Sequence, residues 1–398
     1  MIINFLIIIQ VVMNKEIRQP NIAIITLADL PLPAVKGGAV ETLIDNICAQ
    51  NEYENKLNID VFSITGAEHA SEKNNTNYHY YKKMKERRIT IKNVLYKITG
   101  KVILNKTMWT AVSLINKKNY DLVIVTSIIK EIACFAEKCN SPVVWYLHGD
   151  AVEVLGTEWV YQITQKCAGV IAVSNFVANR VKETGAKIPI YTAKNCGDIT
   201  RIASDDEEIV RKNVRTQYGI NDEIVFAYVG RIIPIKGVRE LVDAFTKAER
   251  KKTKLLIIGS PDPSNETYFS EIKKHSGKDV VFAGYIPHND LNKIYCSVDV
   301  VVVPSICNEA APLTVVESQQ CGKFVIAANR GGISEYAVPT MTDLIEGTGD
   351  SFILNLTSSI KNFNVEEFKK NRQFITKFTQ ENLYKEFTDA IFKIITIA

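Results

Sequence analysis

Residues 223–245 read EIVFAYVGRIIPIKGVRELVDAF, and this stretch contains one strand, one loop and one helix in succession. Its first eight residues are mostly apolar, which is typical of a strand that is buried on both faces. After the loop, Val238, Leu241, Val242 and Phe245 recur at the three- and four-residue spacing of an amphipathic helix. A buried strand followed by a helix is the repeating unit of a parallel sheet that helices cover on both faces.

The same unit recurs along most of the 398 residues. Between Gly38 and Tyr53, for example, apolar residues again follow helical spacing. A polar stretch at 197–222 with little strand signal separates two sets of apolar runs. Strands are predicted at 21–28, 58–65, 121–127, 142–149, 168–174 and 188–194 in the first set, and at 223–230, 254–260, 279–285, 298–305 and 323–329 in the second.

We therefore predict an α/β protein with two doubly wound, Rossmann-like parallel-sheet domains that face one another. The predicted boundaries are 14–198 for the N-terminal domain, 199–222 for a linker, 223–370 for the second domain and 371–398 for C-terminal amphipathic helices. Ligands of such sheets bind beyond the carboxyl ends of the strands, so the cleft between the domains is the expected site.

The composition, 46% hydrophobic and 23% charged, is ordinary for a globular protein, and the net charge of +4 is too small to indicate nucleic-acid binding. The eight cysteines have no CxxC spacing, and several lie in apolar runs, so we expect buried free thiols in a reducing compartment. The apolar run within residues 1–12 is shorter than the roughly twenty residues that cross a bilayer. Either Met13 is the true start, or the run is a weak membrane-surface anchor.

Two cations, Arg231 and Lys236, follow Gly230 at the predicted end of the 223–230 strand. Such a pair suits a pyrophosphate, because arginine bonds it bidentately and lysine acts as a point charge. The alternative is a pair of solvated surface cations, which is the commoner fate of these residues.

A second anion-binding candidate is the Gly37–Gly38 pair that opens the first long helix. Paired glycines let backbone N–H groups approach a phosphate at the positive end of a helix, although a plain tight turn has the same sequence. Neither GxGxxG nor GxxxxGK[ST] occurs, which argues against a dinucleotide dehydrogenase and a P-loop ATPase.

The stretch NEAAPLTVVES, residues 308–318, places two carboxylates around a helix start. Pro312 is suited to the first helical position and Gly322 to the end of the helix, so Glu309 lies in the loop and Glu317 inside the helix. At about 1.5 Å rise per residue, Glu317 lies some 7 Å further along the axis than Pro312, so the two acids do not flank one bond as in a glycosidase. Sugar hydroxyls are suitable donors to both, and we expect Glu309 to hold a hexose and Glu317 a ribose.

Together these motifs resemble those of the family 4 glycosyltransferases, which have the GT-B fold, retain anomeric configuration and serve bacterial polysaccharide and glycoconjugate biosynthesis. The resemblance covers nearly the whole chain from about residue 20. The matching elements are E-x7-E at Glu309 and Glu317, Arg-x4-Lys at Arg231 and Lys236, the Gly-Gly loop at Gly37 and Gly38, His148 in YLHGD, and KNCGD at 194–198, which is similar to Asn-Gly-x-Asp.

The resemblance implies an N-terminal acceptor domain, a C-terminal donor domain and a last helix that crosses back to the N-terminal domain. The sequence alone equally allows a last helix that packs on its own domain. The implied catalytic residues are His148, Arg231, Lys236 and Glu309. The implied nucleotide-sugar-binding residues are Gly37, Gly38, Gly230, Ile286, Ala310, Ala311, Pro312, Leu313, Thr314 and Glu317.

The sequence leaves an alternative open for two assignments, those of His148 and of the 331–336 segment. His148 is either near the reacting sugar, as the resemblance implies, or a satisfied core histidine. The GGISEY segment, residues 331–336, either helps to close the nucleotide pocket or presents Glu335 as a surface acid. Ile286 lies in AGYIPHNDL, which resembles the segment that frames the base through backbone groups.

The resemblance implies a nucleotide-diphosphate sugar as co-substrate, with UDP as the first expectation, and a hydroxyl of a glycan or lipid-linked glycan as acceptor. No resident cofactor is implied, and the absence of an Asp-x-Asp motif gives no indication of a metal. The acceptor would attack from the face that the diphosphate leaves. The alternatives are a GT-B-like nucleotide-sugar epimerase and a catalytically inactive sugar- or nucleotide-binding partner subunit.

The segment at 80–118 holds eleven Lys or Arg residues and one acid, a net charge of +10 in a chain of +4. Interleaved apolar residues, including Trp109, make it amphipathic. It is either a solvated face or a patch that rests on an anionic membrane surface. The second interpretation predicts a cytoplasmic protein that is peripheral on the inner face of the membrane.

Overall fold

A computed structural model of the chain contains the two parallel-sheet domains that the sequence predicts. It describes residues 18–27, 30–36, 38–68, 76–84, 102–370, 372–375 and 377–397. Within these ranges, all strand pairs in both sheets are parallel.

The N-terminal sheet has seven strands in the order β3-β2-β1-β4-β5-β6-β7, and the C-terminal sheet has six in the order β10-β9-β8-β11-β12-β13. Each order reverses beside the first strand of its sheet, and such a reversal opens a crevice at the carboxyl ends of the strands. The strands are β1 Asn21–Ile25, β2 Asn58–Ile64, β3 Thr76–Tyr81, β4 Leu122–Val125, β5 Val143–Leu147, β6 Gly169–Ala172, β7 Ile190–Thr192, β8 Ile224–Val229, β9 Thr253–Ile258, β10 Val280–Gly284, β11 Val300–Val303, β12 Phe324–Ala328 and β13 Thr342–Ile345.

Helices connect the strands and cover the faces of both sheets. In the described ranges they are α1 Ala39–Glu54, α2 Lys106–Ile115, α3 Ile132–Lys138, α4 Ala151–Leu155, α5 Thr157–Thr164, α6 Asn175–Lys182, α7 Ser204–Gln217, α8 Val238–Lys247, α9 Glu266–His275, α10 Leu291–Ser297, α11 Leu313–Gln320, α12 Ile333–Tyr336, α13 Gly349–Asn362, α14 Val365–Lys370 and α15 Gln380–Ile397.

All eleven predicted strands are present, and the two that the prediction missed, β3 and β13, lie at sheet edges. An edge strand is partly exposed, so it does not require the continuous apolar run on which the prediction depended. In β3, the sequence TNYHYY leaves Asn77 and His79 exposed.

The predicted linker contains helix α7, which is fixed to the C-terminal domain by one buried arginine. The Arg215 guanidinium donates to the carbonyls of Ser297, Asn221 and Glu223 and lies 3.1 Å from Asp299 Oδ2. Because a buried guanidinium needs several acceptors to replace water, these contacts anchor the helix firmly.

The last helix, α15, packs against the N-terminal domain, on α1, β6 and β7. Phe387 and Ile394 are fully buried in the N-terminal core, and the Tyr384 hydroxyl contacts Asn51 Oδ1. A Cβ atom at Gly169 in β6 would lie 2.8 Å from Ile394 Cδ1, so the close approach of α15 requires glycine there. The chain thus crosses between the domains twice, once before α7 and once before α15.

In the part of the chain that the structure describes, no helix combines the length and apolar character required for a membrane span. The apolar N-terminal run lies outside the described residues. All eight cysteines are free.

An interdomain clamp, formed by Glu335 and Tyr336 of α12, joins the C-terminal domain to the N-terminal domain. The Glu335 carboxylate accepts the N–H of Asn175 at 2.7 Å and the N–H of Phe176 at 2.6 Å. These are the first two residues of α6, whose N–H groups have no acceptor within the helix. A carboxylate at this position also interacts favourably with the helix dipole.

Tyr336 forms the second half of the interdomain clamp. Its fully buried hydroxyl donates to the Val173 carbonyl and accepts the N–H of Asn195 at 3.0 Å. Lys194 Nζ lies 3.9 Å from the Glu335 carboxylate. Glu335 is therefore not a free surface acid, and the 331–336 segment joins the two domains.

Replacing Glu335 by alanine should release the start of α6. Hydrogen bonds to charged groups contribute about 1.5–3 kcal/mol each, so we expect the Asn175 and Phe176 amides to exchange at least about tenfold faster with deuterium. Exchange in the matched control Glu266→Ala, at an exposed position, should equal that of the wild type. Unchanged protection of both amides in Glu335→Ala would show that the clamp does not hold α6.

Candidate active site

A cleft of about 870 Å³ lies between the domains. The N-terminal domain contributes the start of α1, including Gly38, and the C-terminal domain contributes His288, Leu313 and Glu317. This volume is in the range of small-molecule sites, and the cleft lies where the strand order predicts ligand binding.

The loop after β8 carries both predicted phosphate-binding cations. Arg231 is exposed, and Lys236 ends a short 3₁₀ turn, Pro234–Lys236. Gly237 follows with φ 69°, and a Cβ atom there would lie 1.9 Å from the Pro304 carbonyl oxygen. Only glycine fits this left-handed, crowded position, and it lets the loop turn directly into α8.

Lys236 donates to Glu309 Oε1 at 2.6 Å, a contact that the sequence did not predict. Ser305 Oγ donates to the same carboxylate oxygen at 2.5 Å. Among the described residues, no side chain or backbone group donates to the other oxygen, Oε2. Lys236 and Ser305 thus orient the Glu309 carboxylate and leave one oxygen for a ligand.

The backbone around Glu309 is held by the two glycines that precede the interdomain clamp. Gly332 N–H donates to the Glu309 carbonyl at 2.6 Å, and Glu309 forms an isolated parallel bridge with Gly331. A Cβ atom at Gly332 would lie 2.4 Å from the Ala310 carbonyl oxygen and 3.1 Å from Ser174 Oγ in the other domain. Glycine at 332 therefore allows the Glu309 loop, the clamp and α6 to meet.

Helix α11 begins at Leu313, one residue after the predicted start at Pro312, and Gly322 with φ 65° follows its end. No side chain caps its N-terminus, and the N–H groups of Leu313 and Thr314 have no protein acceptor among the described residues, whereas those of Val315 and Val316 donate to the Pro312 carbonyl. Thr314 Oγ1 donates to the Val229 carbonyl, which holds the helix start beside the end of β8. Ala310 and Ala311, just before the helix, pack against the N-terminal core.

Glu317 lies inside α11 and is 5% exposed. Its Oε2 accepts the Tyr295 hydroxyl at 2.9 Å, and its Oε1 lies 3.2 Å from His288 Nε2. The hydrogen bond to Glu317 raises the pKa of His288. Burial raises the pKa of Asp198, and the negative charge of Glu317 raises it further.

His148 follows β5 immediately, as predicted for a residue at a strand end. The residue as a whole is partly exposed, but both ring nitrogens are inaccessible and have no partner among the described residues. Burial lowers the pKa of His148 to about 3, so the imidazole is neutral at physiological pH. The centroid of the His148 ring lies 4.1 Å from that of the Tyr146 ring, and His148 does not line the cleft.

Other residues that the resemblance assigns to the nucleotide sugar include Gly37, Gly38 and Ile286. Gly37 lies outside the described residues, while Gly38 has φ 112° and lies at the start of α1. Ile286 is half-buried against the C-terminal core, and its exposed neighbour Tyr285 lines the cleft. In the described ranges, no three His, Cys, Asp or Glu side chains are grouped for metal binding.

A comparison with known families identifies the second domain. The profile described as Glycosyl transferases group 1 matches residues 210–374. Residues 210–374 are thus similar to the group 1 glycosyl transferases. This match agrees with the glycosyltransferase family and the transferase class that the sequence motifs indicated. The glycosyl transferase match contains both cations and both carboxylates of the candidate site.

Two curated relatives are also glycosyltransferases. Lipopolysaccharide 1,2-N-acetylglucosaminetransferase of Salmonella typhimurium strain LT2 is 31% identical over 193 residues, 44% of this chain and 50% of that protein. Putative glycosyltransferase YtcC of Bacillus subtilis strain 168 is 26% identical over 339 residues, 82% of this chain and 79% of that protein. The chain thus spans about half the length of the Salmonella enzyme.

A solved structure extends the likeness to both domains. Anabaena HepE in complex with UDP-glucose superimposes with a TM-score of 0.67 at 18% identity, covering 94% of this chain and 100% of that chain. Together with the two parallel sheets, this likeness confirms the GT-B fold.

Proposed function

We propose that the chain is a retaining glycosyltransferase that moves a hexose-type sugar from a nucleotide-diphosphate sugar to a hydroxyl of a glycan or lipid-linked glycan. The observation that carries the proposal is the contact of Lys236 with Glu309 beside the uncapped start of α11, with Glu317 one turn further along the helix. The site thus offers positive groups to a diphosphate and one carboxylate to each of the two sugars linked to it.

The diphosphate is assigned to Lys236, Arg231 and the first N–H groups of α11. A lysine has three N–H donors, so Lys236 can bind a phosphate oxygen while it retains Glu309. Helix N-termini attract anions through their unpaired N–H groups and dipole. These groups would stabilise the charge that develops on the departing diphosphate.

The hexose is assigned to Glu309. Its Oε1 is held by two donors, and Oε2 is available to accept a sugar hydroxyl. Because the carboxylate is held in place by Lys236 and Ser305, it does not lose side-chain freedom when the sugar binds.

The ribose is assigned to Glu317 and the base to the segment at 284–288, where Tyr285 and Pro287 line the cleft. UDP is the preferred nucleotide in this proposal. The binding of UDP-glucose by HepE, a protein of the same fold, supports that choice.

In the proposed reaction, the bond between the anomeric carbon and the diphosphate oxygen breaks, and the acceptor oxygen bonds to the same face of that carbon. The acceptor proton passes to the departing diphosphate. Neutral His148 is proposed to lie near the reacting sugar, and a hydrogen bond to the sugar would require its ring nitrogens, which are inaccessible in this structure, to become exposed on binding. The proposal includes no metal and no resident cofactor.

Lys236→Ala and Glu309→Ala should separate donor binding from transfer. Loss of Lys236 removes a charged hydrogen bond, so we expect about 10- to 100-fold weaker binding of UDP. Loss of Glu309 frees Lys236 from its carboxylate partner, so UDP should bind at least as tightly as to the wild type while sugar transfer is lost.

The measurements are UDP affinity by calorimetry and turnover in a screen of UDP-sugars, with GDP- and ADP-sugars in parallel. The matched control is Lys247→Ala, at an exposed position on α8, which should equal the wild type in both assays. Transfer at the wild-type rate by Glu309→Ala would contradict the role of Glu309. Failure of all three nucleotides to bind the wild type would contradict the proposed function.

We also propose that the 80–118 segment rests on an anionic membrane surface. Residues 85–101 of this segment lie outside the described residues. In the described part, Trp109 on α2 is 43% exposed, which supports a membrane-facing surface, whereas Lys118 is paired with Asp60.

The protein should co-sediment with phosphatidylserine-containing vesicles at about 0.01 M salt, where electrostatic attraction extends to roughly 30 Å. Binding should disappear at about 1 M salt, where the attraction is screened, and with vesicles of neutral phosphatidylcholine. The absence of sedimentation with anionic vesicles at low salt would exclude the membrane proposal.

A further inference from the structure

Among the described side chains, two contact the carboxylate of Glu317, and of these His288 is the one that also faces solvent. Its Nε2 lies 3.2 Å from Glu317 Oε1, and its side chain is 44% exposed. It lines the interdomain cleft together with Glu317. The sequence motifs did not assign a role to His288.

The carboxylate of Glu317 has little acceptor capacity left for a ligand. Tyr295, which is fully buried, donates its hydroxyl to Oε2 from the core side. His288 occupies part of Oε1 from the cleft side. Because a carboxylate oxygen accepts about two hydrogen bonds, the cleft side of Glu317 has room for one ribose hydroxyl rather than for both.

The imidazole of His288 supplies the missing hydrogen-bonding group. When Nε2–H donates to Glu317, Nδ1 is left to bond a hydroxyl, as an acceptor in the neutral ring or as a donor in the imidazolium that Glu317 favours. Among the described residues, none bonds to Nδ1, and the His288 side chain is 44% exposed. Nδ1 is therefore an unused hydrogen-bonding atom on an exposed side chain in the same cleft as Glu317.

We propose that His288 and Glu317 bind the ribose as a pair, with one ribose hydroxyl donating to Glu317 Oε1 and the other hydrogen-bonded to His288 Nδ1. The inference rests on the proposed function, because it assigns the nucleotide to this cleft. Within that function, His288 is a specificity residue that distinguishes ribonucleotides from deoxyribonucleotides. Tyr295 is a positioning residue that holds Glu317 from the core.

The His288 contact has a signature that a structural role would not produce. If Nδ1 binds a ribose hydroxyl, removing either the hydroxyl or the imidazole has the same effect, and removing both adds nothing. We therefore compare UDP, GDP and ADP, take the one that binds the wild type most tightly, and measure its affinity beside those of its 2′-deoxy and 3′-deoxy analogues.

Three variants complete the experiment. His288→Ala removes both ring nitrogens, whereas His288→Gln places its amide near the position of Nε2 and has no atom at the position of Nδ1. The matched control is His275→Ala, because His275 is exposed on α9 and contacts only the Glu271 carbonyl among the described residues.

We expect the wild type and His275→Ala to bind one of the two deoxy analogues about 3- to 10-fold more weakly than the ribonucleotide, as for one lost hydrogen bond. In His288→Ala and His288→Gln the affinity for the ribonucleotide itself should fall by that factor. These two variants should then bind the ribonucleotide no more tightly than that deoxy analogue.

Equal discrimination by the wild type and His288→Ala would overturn the contact. Wild-type discrimination by His288→Gln would also overturn it, because it would show that His288 only orients Glu317. Either result leaves the proposed function intact, whereas a wild-type protein that binds none of the three ribonucleotides overturns both.

Discussion

The carboxylate of Glu335 on the first turn of α6 is the contact on which the geometry of the site depends. It ties the C-terminal domain to the N-terminal domain through two backbone N–H groups that have no other acceptor. The glycines just before the clamp hold the backbone of Glu309, and the Glu309 carboxylate in turn holds Lys236. The spacing of the domains and the orientation of the proposed donor site are therefore coupled.

The second property of the candidate site is that its two predicted carboxylates are paired within the protein. Glu309 has Lys236 and Ser305, and Glu317 has His288 and Tyr295. Partly buried charges require such partners, because desolvation disfavours an isolated charge. A nucleotide sugar would share these partners, as Lys236 can with its three donors.

The features that were predicted from the sequence depend on residues that are close together in the chain. The contacts that were missed join residues that lie far apart in the chain. Buried strands, helix spacing and the loop position of Glu309 follow from residues that are neighbours in the chain. His288 lies 29 residues from Glu317, and Glu335 lies 159 residues from Phe176, so no spacing rule links them. Two of the four edge strands, β3 and β13, were missed because partial exposure removes their apolar signal. The domain boundaries and the roles of the site residues stay predictions.

The most direct test of the central claim is a crystal structure of the protein with UDP bound. We expect the diphosphate to contact Lys236 and the first N–H groups of α11, and the ribose to lie within hydrogen-bond distance of Glu317. A nucleotide bound outside the interdomain cleft, or a diphosphate remote from Lys236 with the Lys236–Glu309 pair unchanged, would contradict the central claim.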